Sequence, residues 1–136
     1  MGIGISGSWF TEKHNIMSSL EKFNFEKLRV YQDALDFSKQ IYRLTKKFPK
    51  DELFGLTSQF RRAGSSISLN IAEGNSLTKT EFKNFLRGAR ASVYECVPIL
   101  SLAEDNGYIS EETRKKTYKD CQKLAKSISA LINSMK

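Results

Sequence analysis

The 136-residue chain has two prolines, two cysteines and one histidine. Each scarcity excludes something. Pro49 and Pro98 stand far apart, and no run alternates apolar with polar residues, so long helices are expected and strands are not. Cys96 and Cys121 each fall within a helical apolar stripe. That placement reads as reduced core thiols of a cytoplasmic protein rather than a disulfide or a metal site. His14 lies on an irregular N-terminal stretch, which leaves the folded part without a histidine for acid–base, triad or Glu-x-x-His di-iron chemistry. P-loop, GxGxxG and paired CxxC patterns are all missing. No stretch reaches the roughly 20 apolar residues that span a bilayer. The N-terminus also lacks the basic-then-apolar order of a secretory signal. Neither a metal, a cofactor nor a membrane partner is therefore expected.

Acidic residues are in short supply too. Fifteen Asp and Glu stand against 22 Lys and Arg, a formal net charge of +7. Residues 1–24 are neutral, with Lys13 and Lys22 against Glu12 and Glu21, so the whole excess belongs to residues 25–136. A compact domain this basic attracts polyanions, nucleic acid before an anionic membrane surface.

What the chain does have is apolar periodicity. Residues 1–24 show none and read as a flexible extension, with Met17 opening a more regular sequence and 1–16 a candidate upstream addition to the reading frame. Trp9 and Phe10 offer an alternative reading of that tail as an anchor on a partner. From Glu26 to Lys47, Val30, Ala34, Phe37, Ile41, Leu44 and Phe48 recur at steps of three and four, the spacing of a bundle seam, before Pro49 stops the helix. Asp51 is the expected N-cap of a second helix carrying Leu53, Leu56, Phe60, Ala63, Ile67 and Ile71 inward. Gly74 is its expected left-handed C-cap.

Thr78 with Glu81 fits a capping box at the start of a third helix, whose stripe runs Phe82, Leu86, Ala89, Val93, Cys96, Leu100, Ala103. Gly88, Ser92 and Glu95 flank it, small enough at two positions for a close helix neighbour, and Pro98 should bend rather than end it. Asn106-Gly107 closes that helix. Ser110 opens a fourth, with Tyr118, Cys121, Leu124, Ala125, Ile128, Leu131, Ile132 and Met135 inward. Short connections between long helices make neighbours antiparallel, so the expected fold is an all-α, up-down-up-down four-helix bundle over 25–136.

Candidate chemistry is sparse. Ser65, Ser66 and Ser68 read as small packing residues because no base is available to activate them. Asn70 and Glu73, close to an apolar stripe, are expected to find partners on other helices or on another copy of the chain. Glu73 and Glu95 could share a site, although helix carboxylates near a core more often accept hydrogen bonds from Arg or Asn. No catalytic constellation assembles. Basic residues are better organised: Lys79, Lys83, Arg87 and Arg90 line one face of the third helix, and Lys115, Lys119, Lys123 and Lys126 one face of the fourth. Arg61 and Arg62 add charge on the second. Such stripes suit a phosphate backbone, and with only Tyr94 extending the third-helix stripe, recognition should follow shape and charge more than base sequence.

Several segments also resemble one family. They are Leu28-Arg-Val-Tyr-Gln-Asp-Ala-Leu35, Phe48-Pro-Lys-Asp-Glu-Leu-Phe-Gly-Leu-Thr-Ser-Gln59, Arg61-Arg-Ala63, Asn70-Ile-Ala-Glu-Gly74, the Ser92/Glu95 pair and Gly107-Tyr-Ile109. Together they resemble the bacterial four-helix bundle proteins named for intervening sequences of 23S ribosomal RNA genes. The match covers about residues 25–136, and the Asn-Ile-Ala-Glu-Gly run is its most specific part. The resemblance implies a basic, ring-like homopentamer without enzymatic activity, similar in fold to the accessory protein of diversity-generating retroelements, which partners a reverse transcriptase and binds nucleic acid. It also makes Arg62, Asn70, Glu73, Ser92 and Glu95 packing and subunit-contact positions. Gly64-Ser65, in place of a more apolar pair, and Pro98 depart from the family pattern.

The leading expectation is a non-enzymatic, oligomeric nucleic-acid-binding protein, structured RNA favoured, using Arg61 and the two basic stripes. The rival is an interaction scaffold whose basic faces dock an acidic protein. An enzyme of another type comes third.

Overall fold

The computed structural model describes residues 21–135. Within them lie four α-helices and no strand: α1 (Arg29–Thr45), α2 (Leu56–Asn75), α3 (Lys79–Asp105) and α4 (Glu111–Ser134), with 3-10 turns at Asn24–Lys27 and Lys50–Glu52. Each helix packs on the next and α4 returns to α1, while the diagonal pairs do not meet. That is an up-down-up-down four-helix bundle. The expected tail anchors Trp9 and Phe10, with His14 and Met17, lie outside the described residues.

The apolar stripes meet on the bundle axis. Phe37, Ile41, Phe60, Ile67, Ile71, Leu86, Leu100 and Ile128 are buried almost completely, each burial stabilising by about 1.5–3 kcal/mol. All seven inward positions expected of α3 are buried. On α4, Thr117 is buried as well, its hydroxyl donating to the Thr113 carbonyl at 2.9 Å. Tyr118, expected inward, stays 38 % exposed. The Thr117 hydroxyl is satisfied within its own helix and so can occupy the core, which turns its neighbour outward.

Three helix boundaries differ from expectation. Leu28 is extended (φ −76°, ψ 129°), so a 3-10 turn precedes α1 and the helix begins at Arg29. Asp51 caps nothing. It belongs to the Lys50–Glu52 turn, Leu53 is 49 % exposed, and α2 begins at Leu56, whose N–H donates to Glu52 Oε1 at 3.0 Å. Gly74 is not a left-handed cap, because α2 runs through Asn75 and the one described residue with positive φ is Gly107 at +76°. A Cβ on Gly74 would lie 2.5 Å from Phe85 Cβ, so this glycine lets α2 and α3 approach closely. At Gly107 the expected closure of α3 holds. Its N–H donates to the Glu104 carbonyl (2.9 Å) and the Tyr108 N–H to that of Ala103 (2.8 Å), the paired bonds of a left-handed helix cap. Pro98, exposed, sits inside α3 without ending it.

Candidate nucleic-acid interface

The start of α3 is held by the expected capping box. Thr78 Oγ1 accepts from the Glu81 N–H at 3.2 Å and Glu81 Oε1 accepts from the Thr78 N–H at 3.1 Å. The Thr78 N–H bond, then the Thr78 hydroxyl, which also donates to Glu81 Oε1 at 2.9 Å, favour the charged carboxylate and lower the Glu81 pKa. With the helix start fixed, Lys79, Lys83, Arg87 and Arg90 follow one another at steps of four, four and three along one side of α3. Arg87 donates to Asn84 Oδ1 at 2.8 Å, and Arg90 reaches across to Ser129 Oγ on α4 at 2.9 Å. Ser110 caps α4, accepting from the Thr113 N–H at 3.1 Å.

Carboxylates neutralise part of the α4 stripe. Lys115 pairs with Glu111 (3.3 Å), and the neighbouring Lys116 pairs with Asp120 (2.8 Å) on the side facing α1. Lys119, Lys123 and Lys126 are exposed and form no ion pair among the described residues. Beside them a groove of about 700 Å³ opens between α3 and α4. Val93, Val97, Cys121 and Ala125 line its apolar part, while Tyr94 (57 % exposed) and Tyr118 (38 %) present ring surface to solvent. Lys119, Lys123 and Lys126 also line it, and no Asp or Glu does. Tyr118 is the residue that sequence reasoning missed. Its place one position before Lys119, the next residue of the basic stripe, was the available signal.

Both thiols beneath this region are buried and free. Burial pushes Cys121 up to about 12, and burial, then the neighbouring Cys121, pushes Cys96 well above the usual thiol range.

Arg61 does not join these residues. It lies on the α1–α2 seam, with Nε donating to Thr45 Oγ1 at 2.8 Å and the guanidinium 4.8 Å from the Tyr42 ring centre. The positions assigned to packing and subunit contact separate as well. Arg62 pairs with Glu95 across α2 and α3 at 2.9 Å, an exposed bridge of about 0–1 kcal/mol. Ser92 Oγ donates to the Gly88 carbonyl at 3.2 Å. Asn70 Nδ2 donates to the Ser66 carbonyl of its own helix at 2.7 Å, and its Oδ1 lies against Gly88 of α3, where a Cβ would be 3.2 Å away. Glu73 is exposed. Glu73 and Glu95 do not share a site. The Arg62–Glu95 and Gly74–Phe85 contacts set the α2–α3 register, which puts Glu73 beside the start of α3, about eleven residues or ~16 Å from Glu95.

Comparison with known proteins agrees with this architecture. The chain is similar to a crystal structure of a protein of unknown function from the S23 ribosomal protein family of Bacteroides thetaiotaomicron VPI-5482. Identity is 27 %, the TM-score is 0.70, and the match covers 76 % of this chain and 97 % of that one. No curated protein matches the chain. The family model described as 23S rRNA-intervening sequence protein matches residues 26–130, nearly the whole described bundle. The chain belongs to the 23S rRNA-intervening sequence protein family.

Proposed function

We propose that this protein is a non-enzymatic, cytoplasmic, homo-oligomeric bundle that binds nucleic acid, with structured RNA the favoured ligand. The observation that carries the reading is the trio Lys119, Lys123 and Lys126, exposed, without an ion pair among the described residues and lining a groove that no Asp or Glu enters, beside the basic residues of α3. Lys83, Arg87 and Arg90 extend that surface, and Lys79 and Lys115 stand at its margins. Arg61, held at the α1–α2 seam, is outside it. Phosphates engage such lysines by releasing condensed counterions, without a requirement for base sequence.

Binding of the purified full chain to structured RNA, duplex DNA and single strands, at low and near-physiological salt, tests the reading. Affinity should fall steeply with salt. Lys119→Glu, Lys123→Glu and Lys126→Glu together should abolish binding while leaving the helical circular dichroism intact. Salt-independent binding, or none at low salt, would overturn it.

A second reading rests on a different observation. Phe54 (94 % exposed), Leu53 and Leu102 leave apolar surface at the α1–α2 turn and late in α3. This surface favours a protein-interaction scaffold, with the basic faces meeting an acidic partner. In that case the lysine reversal would weaken protein capture and leave nucleic acid unbound throughout.

A further inference from the structure

We infer that the α3–α4 groove holds unpaired nucleotides, bases against Tyr94 and Tyr118 and backbone along Lys119, Lys123 and Lys126. The ligand would then be a single-stranded loop or end of an RNA rather than its duplex part. The inference rests on the nucleic-acid reading above and adds to it what is recognised.

Charge and shape in the groove point the same way. A duplex engaged only through its phosphates would need cations on a convex surface, with no use for an apolar cleft between them. Here the lysines border the cleft, and nothing acidic faces it. Lys119, Lys123 and Lys126 follow one another at steps of four and three, so their stems are about 5–6 Å apart along one edge. The Arg90–Ser129 and Arg114–Glu104 hydrogen bonds set the α3–α4 register, placing Tyr94 opposite about Leu124 and Tyr118 opposite about Leu100. The two rings are therefore about six residues, or ~9 Å, apart along the groove, far enough to hold different bases of a short run. Aromatic faces accept any base, so this arrangement gives a preference for unpaired bases without a strong sequence code.

The test uses the full chain and two labelled RNAs, an unstructured single strand and a blunt duplex of equal length, with affinity read by fluorescence anisotropy. Tyr94→Ala and Tyr118→Ala should each weaken single-strand binding roughly five- to a hundredfold. The salt slope and the weaker duplex affinity should stay as they were. Tyr94→Phe and Tyr118→Phe should retain single-strand binding, which keeps the test sound if an alanine variant unfolds. A single strand with abasic sites, equal in phosphates, should lose the tyrosine dependence. Unchanged single-strand affinity in both alanine variants, with binding still lost on lysine reversal, would overturn this inference and leave the nucleic-acid reading standing. Absence of wild-type binding to any nucleic acid would overturn both. If sedimentation shows the alanine variants dissociating an oligomer at unchanged RNA affinity, the groove is a seam between copies and the inference fails.

Discussion

Gly74 is a glycine for lack of room. A Cβ there would lie 2.5 Å from Phe85 Cβ, an atom fixed to the facing backbone, and 3.1 Å from Phe82 Cδ1. At Gly64 the obstacle is also 2.5 Å away, but it is Ile41 Cδ1, the end of a side chain that can turn. Alanine gains about 1 kcal/mol of helix propensity at either position, while forced overpacking costs about 1–3 kcal/mol. Gly74→Ala should therefore lose up to about 2 kcal/mol in denaturant unfolding, with Gly64→Ala within ~1 kcal/mol of wild type. Equal losses would show that the distinction between fixed and movable neighbours does not matter here. From the sequence alone Gly74 reads as a cap, because a glycine at the end of an apolar stripe looks the same whether it turns the chain or admits a neighbour. Only the distance to α3 separates the two. At Asn70 the amide nitrogen finds the Ser66 carbonyl one turn back, while its oxygen lies where a Cβ at Gly88 of α3 would be 3.2 Å away.

The helix ends divide by the range of the contacts that set them. The Thr78–Glu81 box, the Ser110 cap and the Gly107 closure involve residues within five of one another, and all three were legible in the sequence. The start of α2 was not. Glu52 binds the Leu56 N–H through Oε1, and its Oε2 accepts the Tyr108 hydroxyl at 2.7 Å from 56 residues away. The Tyr108 bond, then that from Leu56, holds the Glu52 carboxyl below its ordinary 4.5. The same partner raises the Tyr108 phenol above its ordinary 10.0. A lowered carboxylate contributes stability above pH 4.5 that is lost as pH falls through the folded value, and a raised phenol contributes stability below pH 10.0 that is lost as pH rises through its folded value. Glu52→Gln should thus lower the thermal midpoint at neutral pH, and the gap to wild type should narrow as pH falls from 4.5 through the lowered folded value. A gap unchanged into acid would mean that the carboxylate charge contributes nothing to this link.

The excess of positive charge is a property of the whole molecule. With a formal +7 and only five ion pairs among the described residues, most bridging one helix or an exposed seam, the folded state repels itself. Raising salt from about 10 to 300 mM shortens the screening length from roughly 30 Å to under 10 Å. Without nucleic acid, the thermal midpoint should rise by about 2–4 °C, the shift that roughly 1 kcal/mol produces in a chain of this size. A midpoint that falls would mean the charges on balance attract. The stripes themselves were plain in the sequence. Their separate fates were not, since Arg61 turned to Thr45 and Tyr42 while Lys119, Lys123 and Lys126 formed no ion pair among the described residues.

Four helices, their order, the buried face of each and the basic stripes follow from the sequence by itself, because steps of three and four and local caps act within a few residues along the chain. The tertiary structure alone decided that Gly74 spaces two helices, that Glu52 answers to Tyr108, and that Tyr118 leaves the core to share a groove with Tyr94. Each of these depends on which residue of a distant helix arrives opposite, a matter of register between packed helices that periodicity within one helix does not specify.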